Sequence, residues 1–373
     1  MSSTPAEKEH WRFVLRAFDG YMRYHLSANH ARRMAFITLP KAEKEVFELI
    51  GYREKLEAVD EGIRRNSDFI DEMIANPVFS DMLSSSDDSQ CAPGDYTHSH
   101  VDSPSHDHSQ SASSAHSHSH SSPKSQSSKT EGKRSPELDI AQDKVRSTLR
   151  SFVRDWTKEG EDERNACYAP CLEALERYFP QKSSAGEKEV EIIIDGEDSK
   201  LCRKTRERSD VKVLVPGCGL GRLAMEIAAR VAGDFEEIYG PKNWGLDGGR
   251  EHESEDLENN QGQWGAVVTC FFIDCARNVL NYLRVIHSLL ADDGVWINVG
   301  PLLWHFENSP TTSAKGEGSI ELSLGEVKEL ARRIGFDLRE EKMIRSTYTG
   351  IPESMLRHEY NAAFWVATKR KAE

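Results

Sequence analysis

The 373-residue chain contains no apolar run long enough to span a bilayer, and residues 1–10 are too charged for a signal peptide. Neither a membrane partner nor a secretory route is expected. No C-x-x-C pair occurs among its seven cysteines, which are also odd in number. That argues against a disulfide framework or a metal centre, and reduced thiols in a cytoplasmic or nuclear protein are the simple reading. Positive charge is scarce as well: the formal net charge is −14, so a phosphate-tracking surface is not expected, and nucleic acid is not an expected partner.

What is present is unevenly distributed. Hydrophobic residues make up 38% and charged residues 29% of the chain, but the stretch 84–136 is rich in Ser, His and Asp and nearly free of large apolar side chains. Such a stretch buries too little surface to offset its ordering entropy and is expected to be a disordered linker. It holds seven of the 14 histidines: His98, His100, His106, His108, His116, His118 and His120. Alternating His-Ser-His suits weak capture of Zn²⁺, Cu²⁺ or Ni²⁺; the plainer reading is low-complexity linker. Before it, residues 8–83 read as helical, with Trp11, Val14, Leu15 and Phe18 on one face and Val46, Leu49 and Ile50 on another. After it, residues 138–371 read as one α/β domain with a charged insertion at 181–210.

Within that domain, helices are expected at 145–156 and 166–178, and a hairpin strand at 190–194. An apolar run then enters a turn bearing Gly217, Gly219 and Gly221 and leaves as a helix reaching about Arg230. Strand, glycine loop and helix in that order let backbone N–H groups approach a cofactor. The spacing is Gly-x-Gly-x-Gly, and Arg222 stands where a dinucleotide fingerprint places its third glycine. The loop fits S-adenosylmethionine (SAM), another nucleotide cofactor, or a packing turn. Further on come a strand at 266–273, a helix at 279–290, a tight turn at 292–294, and a strand at 295–299. A helix at 324–334 ends on Gly335, followed by strands near 336–338 and at 362–368. The alternation points to a doubly wound, mostly parallel sheet closed by an antiparallel pair, as in SAM methyltransferases.

Several unusual strings then converge. They are Ser151-Phe-Val-Arg-Asp-Trp156, Glu163-Arg-Asn-Ala-Cys-Tyr168, Val215-Pro-Gly-Cys-Gly-Leu-Gly-Arg-Leu223, Ala232-Gly-Asp-Phe235 and Thr269-Cys-Phe-Phe-Ile-Asp274. Trp296-Ile-Asn-Val-Gly-Pro-Leu-Leu-Trp-His-Phe-Glu307 and Ser346-Thr-Tyr-Thr349 complete the set. Together they resemble the carnosine N-methyltransferase family, over the helical N-terminal region and nearly all of 138–371. The linker and the insertion 181–210 fall outside the resemblance.

The resemblance implies methyl transfer from SAM to an imidazole nitrogen of carnosine or a related histidine-containing dipeptide; a homodimer is compatible with it. It implies that Arg154, Gly217, Gly219, Asp234, Phe235 and Cys270 serve the cofactor, and that Asp274, His305, Tyr348 and Tyr360 hold the dipeptide. The family commonly has Gln where this chain has Ser151. The residue types suit the chemistry. A neutral imidazole with a pKa of about 6.5 needs little activation. A carboxylate at Asp274 would fix the reactive tautomer and stabilise the imidazolium that forms, and His305 would orient the substrate or take up the proton.

One departure concerns the segment between Arg230 and Gly233. A SAM-binding sheet needs a second strand there, whose terminal acid holds the ribose hydroxyls. Only Val231 and Ala232 are left after the helix, whereas a strand takes about 5 residues. The family carries that strand, its helix and a Gly-Asn-Glu motif in a longer segment. The sheet is therefore expected to be incomplete. Two other readings remain: a non-catalytic splice form or gene-model fragment acting as a binding protein, and a nicotinamide oxidoreductase, which Arg222 disfavours.

Overall fold

The computed structural model describes residues 5–77, 79, 136–180, 189–193, 200–204, 211–232, 260–307 and 319–370. The linker histidines, Asp234 and Phe235 lie outside the described residues. The chain divides into two compact units, Met1–Leu149 and Arg150–Glu373.

The first unit contains α1 (Pro5–Asp19), α2 (Tyr21–Ile37), α3 (Lys41–Leu49), α4 (Tyr52–Ile74) and the larger part of α5 (Pro136–Trp156). Its core gathers Leu15, Tyr21, Ile63, Ile70, Ile74, Ala141 and Val145. Ile63, Ile70 and Ile74 fall on one stripe of α4, as a helical period requires. The NH2 group of the buried Asn29 donates to the Leu56 carbonyl at 2.8 Å and to Asp60 at 2.6 Å, so both of its donors are used inside the bundle. The Val46, Leu49 and Ile50 face is exposed rather than buried. The short α3 instead turns Phe47 toward Phe36 and Tyr52. No helix among the described residues is long and apolar enough to cross a membrane.

The second unit carries the end of α5, then α6 (Glu161–Tyr178), β1 (Glu189–Ile193), β2 (Lys200–Lys204), β3 (Val213–Leu214) and α7 (Arg222–Ile227). There follow β4 (Trp264–Cys270), α8 (Val279–Leu289), β5 (Leu290–Gly300), α9 (Leu324–Ile334), β6 (Phe336–Ser346) and β7 (Tyr360–Lys369). β1 and β2 form an antiparallel hairpin from the charged insertion. The other five strands form one sheet in the order β3-β4-β5-β7-β6. β3, β4 and β5 run parallel, while β7 is antiparallel to β5 and to β6. This is the α/β architecture expected from the alternation of elements.

Strand alternation makes a core on each face of the sheet. Ala266, Val268, Val295, Ile297, Val299, Phe364 and Val366 point to one side, against Cys171, Leu172 and Leu175 of α6 and Leu223 and Ile227 of α7. Val267, Trp296, Trp365 and Ala367 point to the other, against Leu283 and Ile286 of α8 and Val327 and Ala331 of α9. Trp296 and Trp365 meet edge to face with centroids 5.3 Å apart. The Trp296 indole N–H donates to Thr269 Oγ1 at 2.9 Å, and that hydroxyl donates to Asn298 Oδ1 at 2.8 Å. Removing one such fully buried aromatic side chain costs about 3–5 kcal/mol.

Several boundaries differ from the sequence reading, two of them beside the central strands. The turn at 292–294 is absorbed into β5: Trp264 pairs with Leu290 and Ala266 with Val295, so the extra residues bulge out of the ladder. β4 stops at Cys270 because Phe271 takes a left-handed backbone (φ 51°), and Asp274 sits beyond it in a single 3₁₀ turn, Ile273–Cys275. Among the described residues no strand separates α7 from β4, and β3 is paired on one edge only.

Candidate functional site: a cleft at the glycine loop

The loop from β3 to α7 has Gly217, Gly219 and Gly221 at φ 64°, 58° and 83°. An L side chain rarely adopts these left-handed values, which is why glycines recur here. At Gly217 space adds a second demand, since a Cβ would lie 2.5 Å from a ring carbon of Phe272. The loop borders an open cleft of about 410 Å³ lined by Arg154, Glu163, Cys167, Tyr168, Gly217, Cys218, Leu223, Cys270, Phe271 and Tyr348, among others.

Arg154, in the last turn of α5, is fixed rather than free. Its Nε and Nη2 donate to the two carboxylate oxygens of Asp155 at 2.6 and 3.1 Å, and the Tyr168 hydroxyl donates to the same carboxylate at 3.1 Å. The Asp155 side chain is fully buried and that of Arg154 is 10% exposed. Burial, the largest single influence, lowers the guanidinium's pKa; the hydrogen-bonded Asp155 carboxylate together with Tyr348 and Tyr168 outweighs it, and the net direction is up. The result is a permanent, oriented cation, with Nη2 3.4 Å from the position a Cβ on Gly219 would take. The face of Tyr348 covers the guanidinium at 4.6 Å.

Three thiols line the cleft, and burial raises the pKa of each. Cys167 is pushed to about 11, Cys270 well above its ordinary value, and Cys218 in the same direction. Since the thiolate is the nucleophile, these groups are soft, neutral walls that would not compete for an electrophilic methyl group.

Next to this cleft, Phe271 stacks on Tyr348 with centroids 4.8 Å apart and meets Tyr360 edge-on at 5.7 Å. Phe272 packs against Gly217 on one side and stacks on Tyr282 at 5.2 Å. The chain then turns into Asp274. One oxygen of its carboxylate accepts the Leu303 N–H at 3.1 Å, and the other lies 4.0 Å from His305 Nε2. The Asp274 carbonyl accepts the His305 N–H at 3.0 Å, which ties the two loops together. The side chains of His305 and Asp274 are only 6% and 3% exposed. Burial pushes the Asp274 carboxyl up to about 6, against the opposing pull of the Leu303 N–H. Burial, and next the Asp274 charge, also raise the pKa of Tyr360. Cys275 brings its sulfur 4.0 Å from His305 Nε2, so the three residues are of metal-ligating type. A cation there would have to displace the proton of a thiol that burial pushes up to about 12.

The structure thus brings together Arg154, Gly217, Gly219, Cys270 and Tyr348 around one cleft, with Tyr360, Asp274 and His305 beside it. Backbone strain concentrates in the same place: Phe271, Trp304 and Thr349 are the non-glycine residues with positive φ among those described, and each adjoins an expected site residue.

A protein-family model for carnosine N-methyltransferase matches residues 132–199 and 229–371. The chain belongs to the carnosine N-methyltransferase family. The match takes in part of the insertion, which the sequence reading had left out, and does not extend over residues 8–83. Residues 200–228 also lie outside it, so the glycine loop rests on its own geometry. The rat carnosine N-methyltransferase is 30% identical over 293 residues, 64% of this chain and 66% of that protein. The fission yeast one (Schizosaccharomyces pombe) is 28% identical over 289 residues, 62% and 72%, and the Drosophila melanogaster one 28% over 278 residues, 61% and 55%. The chain spans just under two thirds of the rat relative's length. A Burkholderia thailandensis 1,6-didemethyltoxoflavin-N1-methyltransferase structure aligns with 16% identity, 65% of this chain, 93% of that chain and a TM-score of 0.30; at that distance it carries no argument.

Sequence reasoning missed Asp155, Glu163, Tyr168 and Phe271. All lie inside or beside the quoted family strings, and that proximity was the available signal; their partners, distant in sequence or hidden by apparent core character, were not.

Proposed function

We propose that this chain transfers a methyl group from SAM to an imidazole nitrogen of carnosine or a similar histidine-containing dipeptide. The observation that carries the proposal is the buried Asp274–His305 pair beside a glycine-loop cleft that holds a fixed cation. The cleft suits the cofactor on three counts: Arg154 offers a held guanidinium to a carboxylate, the loop glycines admit close backbone approach, and the aromatic faces and neutral thiols tolerate a sulfonium. SAM, when bound, supplies an already activated methyl group. The chain's own task is then to align the acceptor lone pair and manage one proton.

The imidazole attacks through the lone pair of one ring nitrogen, while its other nitrogen carries the N–H. The Asp274 carboxylate accepts a hydrogen bond from that N–H, selects the tautomer, and offsets the positive charge that develops on the ring. A carboxyl held near 6 is well matched to an imidazole of about 6.5, so the proton released after transfer passes to Asp274 or His305 with little driving-force penalty. Tyr348 and Tyr360, both hydroxyls kept protonated by burial, flank the acceptor as hydrogen-bond donors.

A second reading, a dipeptide-binding protein with impaired transfer, is favoured by the single-edged pairing of β3 among the described residues. Incubation with methyl-labelled SAM and β-alanyl-histidine separates the two. A ring-methylated dipeptide supports transfer, and dipeptide binding without any methylated product supports the second reading.

A further inference from the structure

We propose that Glu163 is a positioning residue, whose carboxylate holds the turn 347–350 so that Tyr348 stands in the cleft against Arg154 and Phe271. The inference rests on the reading of this cleft as the methyl-transfer site. Glu163 lies in the first turn of α6 and reaches across to the end of β6. Oε1 accepts the Thr349 N–H at 2.6 Å, while Oε2 accepts the Thr347 hydroxyl at 2.8 Å and the Gly350 N–H at 3.1 Å. The three donors bracket Tyr348 on both sides. With both oxygens engaged by the turn, the carboxylate is committed to the protein and acts on substrate through Tyr348.

The backbone explains why a charge is needed. Thr349 has φ 52°, a left-handed conformation that is an outlier for a β-branched residue. Such a conformation persists only where its surroundings over-determine it, and charge-assisted hydrogen bonds to the Thr349 and Gly350 amides do that. α6 holds the other end of the turn too: Cys167 Sγ lies 2.8 Å from Ser346 Oγ, which donates to the Thr347 carbonyl at 2.8 Å. What the clamp delivers is the Tyr348 ring, stacked on Phe271 and covering the Arg154 guanidinium.

Two measurements on the full chain test this. The first is amide hydrogen exchange at Thr349 and Gly350 in wild type, E163Q and E163A. Exchange at both amides is expected to accelerate about tenfold or more, the scale of one lost charge-assisted hydrogen bond, with the β4 and β5 core amides unchanged. The second is steady-state kinetics with the dipeptide and SAM. The dipeptide KM is expected to rise about tenfold in E163Q, with the SAM Kd within about twofold of wild type. Adding T349G to E163A is expected to recover part of the loss, because glycine takes φ 52° without steric cost. Unchanged exchange at both amides would overturn the clamp. So would a SAM Kd that rises as much as the dipeptide KM, since Glu163 would then be a cofactor contact. A wild-type chain silent in methyl transfer would overturn the reading of the cleft, while amide exchange would still decide on the clamp.

Discussion

Replacing Asp274 by Asn should stabilise the protein while disabling it. The carboxyl titrates at 3.8 when unperturbed and is pushed up to about 6 in the fold, chiefly by burial. Between those pH values the folded chain holds a proton that the unfolded chain has released, so stability falls as pH rises through this window. Above it the full cost applies, and the gap between 3.8 and about 6 corresponds to ~3 kcal/mol. Asn keeps an oxygen to accept the Leu303 N–H, now made at 3.1 Å, and carries no charge to desolvate. The stability difference between D274N and wild type should be near zero at pH 4 or below and grow to as much as ~3 kcal/mol in favour of D274N above pH 6. Urea unfolding at several pH values measures it, followed by tryptophan fluorescence, since Trp264, Trp296, Trp304 and Trp365 are all buried in the second unit. Methyl transfer by the same variant should fall by about 10²–10⁴-fold, the usual worth of a positioned acid–base group. A variant that is less stable at pH 7, or a difference that does not change with pH, would refute the claim that Asp274 is held as a costly buried charge.

Other consequences are direct. R154K keeps the charge but loses the two-pronged contact with Asp155, so calorimetry should show the SAM Kd rising about tenfold or more. G217A puts a Cβ 2.5 Å from the Phe272 ring at a residue with φ 64°; strain of at least about 1–2 kcal/mol should lower the melting temperature and the SAM affinity together. Because the described residues include no strand between α7 and β4, and so no strand-end acid to hold the ribose hydroxyls, SAM affinity of the wild-type chain should be about 10–100-fold below that of a family member carrying the longer segment. Matched calorimetry giving equal affinities would contradict the inference that the chain lacks a ribose-holding acid.

Much of the fold was legible because period-two burial is simple. Val267 and Trp296 against Val268 and Ile297 report the two faces of a covered strand pair. Helix α9 announced its end through Gly335, which takes φ 119°; the structure adds a capping box at its start, Ser323 with Glu326. β6 was under-read: Arg339, Glu340, Glu341 and Lys342 look like loop, but β6 lies at the edge of the sheet, where charged side chains face solvent. In the site, Arg154, Asp274 and His305 came from the family strings. Glu163 did not, because its partners lie more than 180 residues further along the chain and two of its three bonds are to backbone amides, which leave no mark on residue identity. Phe271 reads as core in the apolar run of β4; only its left-handed backbone turns it into the cleft.

The central claim is best tested by incubating the full chain with methyl-labelled SAM and β-alanyl-histidine at saturating concentrations and locating the label by NMR. Label on an imidazole nitrogen in wild type, and its loss in D274N with the fold intact, is the predicted result. Label elsewhere on the dipeptide, or equal transfer by D274N, would contradict the account.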